Sequence, residues 1–356
     1  MDVADAINGC LLGGAAGDAL GAEVEFLSWD EIRHQLGAAG VRTLSRPGRF
    51  TDDTQMTLFT VEGLIRAWVR GRSKGICHPP GVVRHAYLRW LHTQGEPWAQ
   101  AGAQFAADGS EPDGWLVSQS VLHRRMAPGS TCLSALRTGG TGTVSAPAND
   151  SKGCGAVMRS APVGFFYPGP AETWEGACDI AAITHGHPDG IYPAGVLAVA
   201  IRLLADGRPL AEAVREAAAF AQPGSGTRLA LTRAVDLAAS GLPDPAALNR
   251  HLGQGWTGDE ALAIAACCAL AVPSPAAAIL AAVNHSGDSD STGAITGNLV
   301  GAAHGRRAVP DAWLDALDGR DLVEQVATDA ATELLRPPCD DDGSVPQDWW
   351  DRYPGW

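Results

Sequence analysis

The chain has 356 residues, 46% hydrophobic and 19% charged, a balance that supports a folded core and excludes a disordered chain. Its formal net charge of −14 disfavours a broad basic surface for a nucleic-acid backbone, while a local basic pocket for one small anion remains open. No run of ~18 apolar residues lacks charge or punctuation, so no membrane span is expected. The acidic Asp2 and Asp5 argue against a signal peptide and for a cytoplasmic protein.

Ala, Leu and Val recur at three- and four-residue spacing over 3–20, 54–70, 81–93, 171–184, 191–205, 209–221, 226–239, 258–271, 275–284, 291–303 and 320–335. That is the period of helices with one apolar stripe, whereas alternating β-branched runs are scarce. An all-α fold is predicted, with one domain over 1–336. Pro- and Gly-rich connectors are expected at 72–80, 106–114, 126–170, 222–225 and 304–310, the longest being a functional loop. A tail over 337–356, rich in Pro, Asp and Trp, is expected to dock on the body or on a partner. No constant-period repeat suggests a solenoid.

Eight cysteines show no C-x-x-C spacing and read as reduced, mostly buried thiols. A zinc site on Cys77 and His78 lacks a second ligand pair.

Three local patterns carry chemistry. Glycines at 13, 17 and 21 share one face of the first helix and permit close approach of a neighbour. Thr51-Asp52-Asp53-Thr54 precedes one apolar helix, and Gly287-Asp288-Ser289-Asp290-Ser291-Thr292 precedes another. A helix N-cap needs one such side chain, so each cluster holds surplus oxygen ligands. Crowded carboxylates beside hydroxyls suit a hard divalent cation if the fold brings the clusters together, and no Lys or Arg stands within four positions of the second one. Calcium in a helix-loop-helix hand is excluded, because no Glu follows at the required spacing.

Five segments stand in one order: G-x-x-x-G-D-A-L-G-A-x-x-E at 13–25, F-T-D-D-T-Q-M-T at 50–57, K-G-C-G-A-V-M-R at 152–159, T-H-G-H-P at 184–188 and G-D-S-D-S-T-G-A-I at 287–295. Together they resemble the ADP-ribosylglycohydrolase family, the relatives of dinitrogenase-reductase-activating glycohydrolase. The resemblance implies a compact orthogonal all-α domain with two Mg2+ ions in a central cleft, Mn2+ being a possible substitute. By position Thr51, Asp52, Asp53, Asp288, Asp290 and Ser291 would be metal ligands, with Asp290 bridging the two ions. Glu25 matches the family's mobile glutamate and, with Asp52 and Asp53, is a candidate catalytic carboxylate. Asp150, Ser151, Lys152, Gly153 and Gly155 would lie along the diphosphate and distal ribose, and His185 would contact substrate. Helix-terminal hydrogen bonding is the alternative, less favoured role for His185 and His187.

Cys154 stands where several relatives carry Asn, and Lys152 where some carry an aromatic. The implied activity is hydrolysis at C1″ of ADP-ribose, with ADP-ribosyl-arginine on protein as first choice. ADP-ribosyl-serine, O-acetyl-ADP-ribose and other small conjugates, and ADP-ribosylated nucleic acid are alternative substrates. A non-catalytic ADP-ribose binder, a structural protein and a diphosphate-cleaving phosphohydrolase are the alternatives from other classes.

Overall fold

Asp2 opens the first helix, α1 (Val3–Gly21), by accepting from the Ala4 N–H. The structure is a computed structural model describing residues 2–102, 111–139 and 141–355. Helix follows helix: α2 (Trp29–Leu36), α3 (Asp52–Lys74), α4 (Pro79–Thr93), α5 (Trp98–Ala101), α6 (Ser130–Arg137), α7 (Val163–Phe166), α8 (Pro170–Ala182) and α9 (Pro188–Ala205). Then come α10 (Leu210–Ala218), α11 (Gly226–Ala238), α12 (Pro245–Leu252), α13 (Gly258–Ala271), α14 (Pro275–Val283), α15 (Ser289–His304), α16 (Asp311–Leu314), α17 (Arg320–Leu335) and α18 (Gln347–Arg352). Among the described residues there is no strand, only isolated bridges between Gly48 and Leu317 and between Gly153 and Thr257. The all-α expectation holds, and each helix expected from the apolar spacing is present.

The stretch 126–170 departs from expectation. It holds α6, a 3-10 turn over Cys154–Arg159 and α7, because its Gly and Pro punctuation separates pieces too short to show a period. Within α6, Cys132, Leu133, Ala135 and Leu136 are buried, an apolar face only two turns long. Helix α2, outside the predicted segments, carries a local start signal: Ser28 and Glu31 form a reciprocal capping box. The expected connector at 106–114 falls mostly outside the described residues, as do Gly140 and Trp356.

The central contact is between α1 and α15. A Cβ at Gly13 or Gly17 would run into the backbone of Gly297 or Gly293, and one at Gly297 or Gly301 would run into Gly13 or Gly9. Two glycine stripes therefore face each other, and the backbones approach as side chains would forbid. The predicted close approach is real, and its partner is the helix that carries the second acidic cluster.

Helix α9 is long and apolar enough to cross a bilayer, yet 72% of it is buried inside the protein, where it serves as a core helix. The tail docks on the body. Trp349 Nε1 donates to Glu333 at 2.9 Å, Tyr353 donates to Asp329 at 2.7 Å, and Arg66 Nε donates to the Pro354 carbonyl at 3.0 Å. All eight cysteines are free, five of them buried.

Candidate active site

Helix α3 begins at Thr51, whose hydroxyl caps it by accepting from the Asp53 N–H at 3.3 Å. A second carboxylate completes the cap from another helix. Asp18, buried on α1, accepts from the Thr51 N–H at 2.9 and 3.1 Å, the Thr54 N–H at 2.9 Å and the Thr54 hydroxyl at 2.5 Å. With the N–H groups at the buried start of the helix thus satisfied, the Asp52 and Asp53 side chains are not needed for the cap. One oxygen of Asp52 accepts from the Gly129 N–H at 3.1 Å. Asp53 Oδ2 is buried with no hydrogen-bond partner.

Helix α15 repeats the arrangement. Asp288 caps it by accepting from the Ser291 N–H at 3.2 Å, and Asp290 accepts from the same N–H at 3.0 Å. The glycine stripes hold this end against the C-terminal end of α1, where a Cβ on Gly21 would strike the backbone of Ser289 and Asp290. Just beyond, half-buried Glu25 comes within hydrogen-bonding reach of Asp290. Three chain segments, distant in sequence, thus meet around one space.

That space is a cavity of about 330 Å3 lined by five carboxylates, those of Glu25, Asp52, Asp53, Asp288 and Asp290, and by no Lys or Arg. Burial, then the charges of Asp290, Asp288 and Asp52, push the Glu25 carboxyl up to about 10. Burial and Asp290 push Asp18 up to about 7. Asp52, Asp53 and Asp288 also rise well above the carboxylate range, burial being the largest cause and like charge adding to it. A larger cavity of about 530 Å3 lies between α3 and the tail, lined by Arg72, Cys339 and Trp350, and holds no such cluster.

The donor set fits a hard divalent cation: carboxylate oxygens, the Ser291 hydroxyl and an orphaned buried oxygen on Asp53, with no cationic side chain to compete. Among the described residues, however, no group of three or more His, Cys, Asp or Glu is arranged to hold a metal ion. The two-ion centre implied by the sequence resemblance is thus not shown as a formed shell; what is present is a ring of donors bordering a cavity. Thr51, capping α3, lies behind that ring rather than on the cavity wall.

The other expected contacts divide. Gly153, Gly155 and His185 line the cavity; Ser151 is half-buried, and Asp150 and Lys152 are exposed, away from its wall. Ser151 ties its loop to α6 through a 3.0 Å bond to Thr131 and accepts from the Gly153 N–H at 3.3 Å. His187 caps α9 by accepting from the Asp189 N–H at 3.0 Å. Cys154 donates its thiol proton to Asp288 at 2.8 Å.

Fully buried His185 is set by a short relay. Arg159 Nη2 donates to Thr184 Oγ1 at 2.7 Å, and that hydroxyl lies 2.8 Å from His185 Nδ1. With its oxygen accepting from Arg159, the hydroxyl gives its one proton to Nδ1, a better acceptor than the nearby Cys132 sulfur. His185 is then the neutral tautomer carrying hydrogen on Nε2. Burial and the Arg159 charge hold its pKa down at about 3, so it stays neutral. A Cβ on Gly153 would come 3.5 Å from Nε2, and one on Gly155 would come 2.8 Å from Cys132 Sγ. The two glycines leave room for a ligand beside that N–H.

Several lining or supporting residues, Asp18, Gly129, Thr131, Phe26 and Trp256 among them, are not marked by the sequence. Asp18 lay inside the G-D-A-L-G segment without a role, because its partners are on another helix. Gly129 lay inside a presumed loop. Phe26 and Trp256 also border the cavity, and a lone aromatic beside glycines carries no signal of its own.

A family model described as ADP-ribosylglycohydrolase matches residues 1–339. The ADP-ribosyl-[dinitrogen reductase] glycohydrolase of Rhodospirillum rubrum is 28% identical over 334 residues, 89% of this chain and 91% of that protein. An ADP-ribosylarginine hydrolase of Serratia proteamaculans is 26% identical over 324 residues, covering 91% and 78%. A solved structure titled an ADP-ribosylglycohydrolase-related protein complex superposes with a TM-score of 0.64 at 27% identity, covering 94% of this chain and 99% of that one.

Proposed function

The chain belongs to the ADP-ribosylglycohydrolase family, and on that premise we propose that it is a Mg2+-dependent hydrolase of the glycosidic bond at C1″ of protein-linked ADP-ribosyl-arginine, releasing free ADP-ribose. The observation that carries this reading is the meeting of five carboxylates on one cavity free of Lys and Arg. The name of the Serratia relative favours arginine as the acceptor.

Asp52, Asp53, Asp288, Asp290 and Ser291, with Thr51 behind them, would hold one or two Mg2+ ions. When bound, such an ion supplies Lewis acidity that lowers the pKa of water and orients neighbouring hydroxyls. The chain's own groups do the rest. Glu25, at the solvent edge, is placed to carry a proton between bulk water and the bond that breaks. The carboxylates stabilise the positive charge that develops at C1″ as that bond lengthens. Asp52, pinned by Gly129, keeps its other oxygen in a set orientation. The Nε2–H of His185 faces the gap beside Gly153 and Gly155 as a fixed donor for a phosphate or ribose oxygen.

The test is hydrolysis of ADP-ribosyl-arginine protein with and without Mg2+, by wild type, Asp53→Ala and Asp290→Ala. Free ADP-ribose from the wild type alone, only with Mg2+, is expected. AMP as the product would replace this reading with a phosphohydrolase, and full activity in both variants would end the carboxylate mechanism.

A further inference from the structure

Phe26 and Trp256 meet at the rim of the acidic cavity. Their rings stack with centroids 5.3 Å apart and planes 19° apart, although Phe26 follows α1 and Trp256 precedes α13. Phe26 remains 66% exposed and Trp256 37%, so both keep ring surface open to water. Phe26 also holds a φ of 70°, a left-handed conformation that a bulky side chain adopts only at a cost. Folding alone favours neither the exposure nor the strain, and such strain collects where a site needs a side chain aimed. Trp256 is aimed as well: its carbonyl accepts from the Cys154 N–H at 3.3 Å, and its indole donates to Gln254, whose carbonyl accepts from the Asp288 N–H at 2.8 Å.

We propose that this pair is the platform for the acceptor, a planar organic cation, namely the guanidinium of the arginine that leaves. The inference rests on the arginine reading given above and assigns that reading its residues. Aromatic faces attract cations, and the cavity beside these rings has five carboxylates with no Lys or Arg to compete. A neutral adenine would gain from stacking alone, whereas a guanidinium gains from the rings and from the surrounding negative charge. The charge of the cavity therefore selects the acceptor rather than the base.

The experiment compares butylguanidinium with its uncharged isostere butylurea, titrated into the full chain with Mg2+ present. Wild type, Phe26→Leu and Trp256→Leu are each measured for these two ligands, for free ADP-ribose and for KM on ADP-ribosyl-arginine. Butylguanidinium is expected to bind the wild type about tenfold or more tighter than butylurea, and each variant to lose about tenfold for the cation. Affinity for ADP-ribose is expected to stay within about twofold. Equal binding of the two ligands, or unchanged binding in Phe26→Leu, overturns the platform. An equal loss for ADP-ribose assigns the rings to adenine and overturns it too. Phe26→Leu decides the matter if Trp256→Leu does not fold, since so exposed a ring contributes little to the core. If no ADP-ribosyl-arginine is hydrolysed while the cation preference and its loss persist, the function proposed above fails and the platform stands. If hydrolysis persists with KM unchanged in both variants, the function stands and the platform fails.

Discussion

The carboxylate of Asp18 accepts a 2.5 Å hydrogen bond from the hydroxyl of Thr54, and the same carboxylate takes the backbone N–H groups of Thr51 and Thr54. One side chain on α1 thus holds the start of α3, and through it the orientation of Asp52 and Asp53. Asp18→Ala would leave three buried donors without a partner. The expected cost is about 2–4 kcal/mol in urea unfolding, with activity lost beyond what the remaining folded fraction explains. A cost below about 0.5 kcal/mol would remove Asp18 from this role.

The glycine stripes make a sharper contrast. Gly17→Ala and Gly297→Ala each place a methyl inside the backbone of the facing helix, which must retreat and take Asp288 and Asp290 with it. Each is expected to cost about 3 kcal/mol or more. Gly71→Ala, also in a helix, meets nothing closer than 4.0 Å and should stabilise by about 0.5–1 kcal/mol. Similar denaturation midpoints for all three would contradict the account.

Charge crowding sets a pH dependence in chelator-treated protein. Asp18 and Glu25 are raised, to about 7 and about 10, so each adds stability below its unfolded value and loses it as pH climbs through the folded one. His185 and His285 are depressed, to about 3 and about 4, so they add stability above pH ~6.5 and lose it as pH falls. Above pH ~6.5 only the last half of the histidine titration in the unfolded chain remains, and the larger opposite effect of the acids dominates. Stability in EDTA should therefore fall by more than about 1 kcal/mol between roughly pH 6.5 and 8.5. Denaturant midpoints at three pH values measure this, and a rise across the window would refute it.

Removing one charge should help the metal-free fold and harm the site. Asp53→Asn relieves repulsion at an oxygen that has no partner and should raise the melting temperature in EDTA by a few degrees. The same substitution should abolish most of the rise that Mg2+ gives the wild type. An unchanged Mg2+ response would take Asp53 out of the ligand set.

The relay behind His185 has a spectroscopic signature. Nitrogen NMR of the imidazole should show hydrogen on Nε2 and a bare Nδ1 throughout the neutral range. Thr184→Val should disturb that assignment while costing about 1–3 kcal/mol for the donor stranded on Arg159. Hydrogen found on Nδ1 in the wild type would reverse the proton order.

Much of this was legible beforehand, for local reasons. Helical spacing shows wherever a helix spans several turns, so α1, α3, α9 and α15 could be read. The pieces α6 and α7, each a turn or two between glycines, could not. The surplus carboxylates were visible because a cap needs one side chain. The structure shows Thr51 and Asp288 capping, and Asp52, Asp53 and Asp290 left over.

By itself the sequence determined the helices, the caps, the excess of negative charge beside two of them and the small-residue face of α1. Each depends on residues within about four positions of one another, where backbone geometry leaves few choices. Only the tertiary structure decided that α15 is the helix that α1 approaches. It likewise decided that Asp18 holds another helix's start, that Asp150 and Lys152 are exposed and not part of the cavity lining, and that Phe26 stacks on Trp256 at its rim. Those relations join residues far apart along the chain, and the packing of the whole core selects among the partners that local rules leave equivalent.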